Sequence, residues 1–207
     1  MADPRAIVEE RARGFLDLPA ELTHIEFKEG ADFASLQYRI SKTAMAMANL
    51  RDGGMIIVGV KQDRQRQFVV VGIDATNESS FVQEVVYEFV NQYASPPVEL
   101  RVFPLEHSGK RFIIIDVQPF ERTPVVCRRN TPDGTTKNDQ MRPGDFFVRT
   151  GSPVSTQRVQ SDAMMHEVLE FAVIRRIAEI QRIQRIAAAS GSAQNVFDTE
   201  ASDLGDI

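Results

Sequence analysis

The sequence predicts an α+β fold: a mixed sheet with packed helices, followed by a long C-terminal helix. Three observations carry this. Thr23 to Glu29 alternates, with Ile25 and Phe27 on one side and His24, Glu26 and Lys28 on the other, the period-two pattern of a half-buried strand. Between residues 33 and 93, two stretches with apolar residues at helical spacing enclose short apolar runs bounded by glycine, which reads as helices laid against strands. From Ser161 to about Ala189 the spacing is helical again.

Along the chain, residues 4–16 form a short helix. Pro4 suits its first turn, Ile7, Val8, Ala12 and Phe15 recur at helical spacing, and Gly14 and Pro19 limit it. After the first strand, Asp32 is a suitable N-cap for a helix whose apolar face runs Phe33, Leu36, Ile40, Ala44, Met47 and Ala48. Asn49 to Gly54 is a tight connection. Met55 to Val60 is a continuous apolar strand that pairs as a hairpin with Phe68 to Gly72. Asp74 or Thr76 caps a helix from about 77 to 93, with Phe81, Val82, Val85, Val86, Phe89, Val90 and Tyr93 inward, and Pro96-Pro97 ends it. Strands follow at Val98–Pro104, Phe112–Val117 and Val125–Arg128. A polar loop then covers 129–144, Phe146 to Arg149 is a last strand, and Gly151-Ser152-Pro153 breaks it.

This divides the chain into an N-terminal helical extension (1–14), an α+β domain (15–155), a helix (156–190) and an acidic flexible tail (191–207). In the C-terminal helix Met164, Val168, Phe171 and Ala172 share a face. Ile174, Ile177, Ile180, Ile183 and Ile186 then recur every third residue, so they spiral about −60° per step and cannot all face one body. The helix either wraps its own domain or meets a partner helix, such as that of a second copy.

The 207 residues are 43% apolar and 26% charged, a globular balance. No apolar run reaches the roughly 20 residues of a membrane span, and the start lacks an apolar secretory stretch, so the expectation is an intracellular, cytoplasmic protein. One cysteine, Cys127, excludes an internal disulfide and a cysteine-cluster zinc site, and three scattered histidines (His24, His107, His166) argue against a His-rich metal site. The net charge is −5, but Asp198, Glu200, Asp203 and Asp206 follow residue 186 with no Lys or Arg among them. Without those four acids the body is about −1, compatible with local basic patches that bind nucleic acid.

Glu26 and Lys28 are two apart on one strand, so both project from the same side. If the chain turns at Leu22-Thr23, Glu21 approaches Glu26, and two converging carboxylates attract a divalent cation. A solvated Glu–Lys pair with Glu21 at a helix end is the plainer alternative.

Ile25-Glu26-Phe27-Lys28-Glu29 is followed by Ala46-Met47-Ala48-Asn49, Gly53-Gly54, Ile56-Ile57-Val58-Gly59-Val60 and Val71-Gly72-Ile73. Phe147-Val148-Arg149-Thr150-Gly151-Ser152 closes the series. In order and spacing this resembles the Schlafen AlbA-type domain, over about residues 15–155. The resemblance implies an α+β nucleic-acid-binding domain that in some Schlafens is a metal-dependent endoribonuclease acting on structured RNA such as tRNA. It implies three catalytic carboxylates, two of them from a Glu-x4-Glu-x-Lys stretch. Glu21 and Glu26 match those two and Lys28 the basic partner. The third place falls on Gln62, with Asp63 one residue later in a longer loop (Lys61 to Gln67), so Glu21, Glu26 and Asp63 are the candidate ligands for Mg²⁺ or Mn²⁺.

The remaining bases, Lys61, Arg64, Arg66, Arg122, Arg128, Arg129, Lys137 and Arg142, form a nucleic-acid-binding patch if they gather on one face. Arg149 lies in the closing family segment and reads as structural. Phe120 and Phe146 could stack on bases, although core packing suits them better, and Cys127 reads as a buried strand cysteine. No Gly-x4-Gly-Lys-Ser/Thr loop is present, so ATP hydrolysis has no support. Three functions therefore compete: nucleic-acid backbone recognition, metal-dependent endoribonuclease, and a scaffold docking partners through its C-terminal helix.

Overall fold

The computed structural model describes the backbone of residues 3–203 and the side chains of residues 3–186. The chain begins with α1 (Pro4–Asp17), β1 (Ile25–Lys28), α2 (Phe33–Ala48), β2 (Gly54–Val58), β3 (Val60–Gln62) and β4 (Phe68–Val70). It continues with α3 (Ala75–Glu78), α4 (Gln83–Tyr93), β5 (Ala94–Ser95), β6 (Leu100–His107) and β7 (Lys110–Val117). It ends with β8 (Val126–Cys127), β9 (Phe147–Gly151), β10 (Val154–Arg158) and α5 (Asp162–Asp203).

The main sheet has the order β1-β2-β7-β6. β1 runs parallel to β2, with α2 as the crossover between them, while β7 is antiparallel to both β2 and β6. The fold is therefore α+β with a mixed sheet. Three two-stranded pairs surround it: β3–β4, β5–β8 and β9–β10. Pro104 sits in β6, the sheet edge, where a missing N–H is tolerated.

Each face of the sheet has its own core. Ile56 and Val58 of β2 join Ile113, Ile115 and Val117 of β7 against α2 and α4. Met55 and Ile57 of β2 join Phe112 and Ile114 of β7 against Val8, Ala12 and Leu16 of α1. Burial on both faces is why β2 is apolar without alternation. α1, separated at 1–14 by the sequence reading, thus forms the second cover of the sheet. Where the loop between α2 and β2 passes the end of β7, the backbones come close. A Cβ on Gly53, whose φ is +72°, would lie 2.1 Å from the Val117 carbonyl. Buried Asn49 ties this corner to two other segments: its amide nitrogen donates to the Val125 and Phe147 carbonyls at 2.9 and 3.0 Å, and its oxygen accepts from Val125 N at 2.7 Å.

Several expectations are corrected. α1 continues through Gly14 and buries Val8, Ala12 and Leu16, leaving Ile7 exposed. The run from Met55 to Val60 is interrupted at Gly59, whose φ is +119°. Its N–H donates to the Lys28 carbonyl and its own carbonyl accepts from Val71 and Gly72, which turns β3 out of the sheet. The helix expected over 77–93 is two, because Phe81 and Val82 fall in a break. Asp74 caps only α3, and α4 buries Val86, Val90 and Tyr93 while Val82 and Val85 are exposed. Gly151-Ser152-Pro153 does not end the strand region: it turns β9 into β10, which pairs back antiparallel from Val154↔Gly151 to Arg158↔Phe147. All five residues of β10 are half-buried, so no apolar alternation announced it. The acidic tail expected at 191–207 lies outside the described residues, as far as its side chains and all of 204–207 are concerned. Among the described residues no helix is long and apolar enough to cross a membrane.

Candidate nucleic-acid interface

β1 is an edge strand, and its alternation decides what the edge displays. Ile25 and Phe27 turn into the α1-side core, so Glu26 and Lys28 project to the other side, beside α2 and the β9–β10 hairpin. There the apolar core gives way to a cleft of about 260 Å³. Glu21, Glu26 and Lys28 line it on one side, Arg39, Lys42 and Thr43 of α2 on another, and the loop at Asn138-Asp139 together with Val154–Thr156 closes it. The Leu22-Thr23 turn does bring Glu21 back: its Oε1 accepts a long bond from Phe27 N at 3.5 Å.

The organiser of this edge is Arg149, whose side chain is fully buried. Its guanidinium donates to the carbonyls of Leu22, Thr23 and Ile25 at 3.4, 3.0 and 3.1 Å, to Thr156 Oγ1 at 3.1 Å and to Glu26 Oε2 at 2.5 Å. A planar fork with five donors suits this task; an ammonium would not. Lys28 bonds the other Glu26 oxygen. Burial alone would raise the Glu26 pKa, but Lys28 and Arg149 outweigh it and hold the carboxylate below its ordinary range. Glu21 goes the other way: burial, then repulsion from Glu26, raises its pKa. Two neighbouring carboxylates are thereby pushed apart in acidity.

The cationic wall comes from elements far apart in sequence. Lys42 Nζ donates to the Asn138 carbonyl at 2.7 Å and lies 5.6 Å from the Phe147 ring centroid; Arg158 lies over the same ring at 5.8 Å. Burial, then repulsion from Arg158, lowers the Lys42 pKa. Arg39 pairs with Asp139 at 3.1 Å, and Arg158 with Asp145 at 2.8 Å.

The expected site residues separate into groups. Glu21, Glu26 and Lys28 come together. Asp63 does not line their cleft: its Oδ1 accepts from Gln65 N and Gln67 N, both at 2.8 Å, and so shapes its own hairpin turn. Gln62 donates to the Arg66 carbonyl in the same turn. Lys61, Arg64 and Arg66 are exposed on that hairpin. Lys137 sits in the short turn Lys137–Asp139 that borders the cleft, and Arg142 is exposed on the same loop. The other three have structural partners: Arg122 pairs with Glu179 of α5, Arg128 donates to the Asn91 and Gln92 carbonyls at the end of α4, and Arg129 reaches the Gln92 side chain. Phe120 and Phe146 are buried, and burial pushes the Cys127 thiol up, away from reactivity. Sequence reasoning missed Arg39, Lys42 and Arg158. The first two were legible as an i, i+3 pair on the polar face of α2; Arg158 was not, since its strand was not seen.

The donor set does not fit a divalent cation as it stands. The cleft offers three carboxylates, but Glu26 is already bonded to Lys28 and Arg149 and Asp139 to Arg39, and among the described residues no group of three His, Cys, Asp or Glu side chains could hold a metal ion.

The fold and cleft define a class: an α+β domain that exposes a paired acid and base on its sheet edge, backed by a buried arginine and faced by a cationic helix. The chain belongs to the Schlafen, AlbA_2 family, which it matches over residues 21–156. Among solved structures it is similar to the DIP2311 protein from Corynebacterium diphtheriae, at 15% identity and TM-score 0.47. That match covers 75% of this chain but only 27% of the other. It is also similar to the N-terminal domain of a RecG-related protein from Nitrosomonas europaea, at 18% identity and TM-score 0.43, covering 73% of this chain and 94% of that domain. No curated protein matches.

Proposed function

We propose that the chain binds nucleic acid through its sugar–phosphate backbone at the cleft between β1, α2 and the β9–β10 hairpin. The observation that carries this is the crowding of Lys28, Arg39 and Lys42 around one opening, with Arg158 close behind. Lys42 is half-buried and, among the described residues, hydrogen-bonded only to a neutral carbonyl, so a phosphate oxygen would relieve both its desolvation and its repulsion from Arg158. Family membership supports the same reading. Binding of short labelled RNA and DNA, single- and double-stranded, tests it: affinity should fall steeply between about 50 and 200 mM salt. No binding at the lower salt defeats it.

A second reading, a metal-dependent endoribonuclease, draws on the convergence of Glu21 and Glu26. It needs Asp63 to give up its bonds to Gln65 and Gln67 and Glu26 to loosen from Arg149. Incubating tRNA with the protein and Mn²⁺ tests it. Cleavage that Glu26→Ala abolishes would support this reading, and cleavage that Glu26→Ala leaves untouched would end it.

A further inference from the structure

α5 carries apolar residues on two opposite sides. At about 100° per residue, Met164, Val168, Phe171 and Ala172 fall together and pack on the domain. Leu169, Val173, Ile177 and Ile180 fall roughly 180° away, at i, i+4, i+8 and i+11, the spacing of a helix–helix seam. They are 49%, 57%, 50% and 42% exposed. Ile183 rotates off this stripe and lines a groove with Arg122 and Glu179 instead. A contiguous row of large apolar side chains on the far side of a docked helix marks an interaction surface.

Charge selects the occupant. Residues 162–171 carry Asp162, Glu167 and Glu170 and no Lys or Arg, a net −3. Residues 172–186 carry Arg175, Arg176, Arg182 and Arg185 against Glu179, a net +3. The stretch is therefore complementary to its own reverse. We propose that the Leu169–Ile180 stripe is the seam of a two-fold dimer in which α5 helices of two copies of this chain pair antiparallel. Val173 of one copy then lies beside Ile177 of the other, and Leu169 beside Ile180. Each acidic end runs along the other's basic end, whereas a parallel pair would set like charges together. The domain occupies the opposite side of each helix, so both domains clear the seam.

Sedimentation of the full chain over a range of concentrations should show a monomer–dimer equilibrium. Ile177→Glu and Val173→Glu each bury an unpaired charge at the seam and should raise the dissociation constant about tenfold or more, with the unfolding midpoint unchanged at concentrations where the parent is monomeric, because both positions are exposed in the single chain. Under oxidising conditions Leu169→Cys and Ile180→Cys should cross-link to each other when mixed and not to themselves; native Cys127 is buried and does not compete. A monomer at every concentration, a dimer indifferent to both Glu variants, or self-cross-linking of Leu169→Cys would each overturn the proposal.

Discussion

Arg149 Nη1 meets Glu26 Oε2 at 2.5 Å, joining β9 to the open edge of the main sheet across 123 residues of sequence. The guanidinium is inaccessible to solvent while the carboxylate faces the cleft. The pair is thus a buried cation holding a half-open anion in place. The three backbone carbonyls that share the guanidinium fix the Leu22–Ile25 turn at the same time, so the position of Glu21 depends on it too.

Removing this cation should be costly. Arg149→Ala leaves Glu26 to Lys28 alone beside a low-dielectric wall and orphans the Thr23 and Ile25 carbonyls, so we expect a loss of about 3–5 kcal/mol, read as a lower urea midpoint. Arg149→Lys should recover only part of it, since one ammonium cannot span the same acceptors.

Asn49→Ala should destabilise by about 2–3 kcal/mol, because it leaves a buried N–H and two buried carbonyls without partners. Asn49→Asp should not rescue it: a carboxylate keeps the Val125 N–H bond and loses both donations. Thermal unfolding of the two variants against the parent measures this.

Glu21 and Glu26 make opposite contributions to the pH dependence of stability. Glu26 has a depressed pKa in the fold, so its stabilisation is present above its unfolded pKa and is lost as pH falls through the folded one. Glu21 has a raised pKa: the fold favours its protonated form, and stability is lost as pH rises from the ordinary 4.5 through the folded value. Glu21→Gln should therefore be more stable than the parent at neutral pH, with the advantage vanishing in acid below the unfolded pKa. An advantage that is the same at both pH values would contradict this assignment.

If phosphate binds at the cleft, Lys42→Ala should weaken RNA or DNA binding about tenfold and reduce the salt slope by about 1. Arg128→Ala, which removes a side chain committed to the end of α4, should leave the slope unchanged. Titrations at several salt concentrations compare the two.

What could be read along the chain was whatever local periodicity encodes. Alternation in β1 placed Ile25 and Phe27 inward and Glu26 and Lys28 together outward. The stripe of α2 named its buried face from Phe33 to Ala48, and the ordered motif series named the family. These patterns are legible because a strand or helix repeats every two or 3.6 residues whatever it packs against. The failures were of another kind. β10 is polar and half-buried and exists through its pairing with β9. Gly59 interrupts an unbroken apolar run because its backbone is needed by Lys28, Val71 and Gly72. Asp63, the candidate third acid one residue past the family position at Gln62, spends its carboxylate on its own turn. Arg39 and Lys42 line one opening with Arg158 close behind because α2 and β10 are both packed on β9. Contacts between segments a hundred residues apart leave no periodic trace, so the acid–base pair could be found from sequence, and the cationic wall that faces it arose only from the packing of the folded chain.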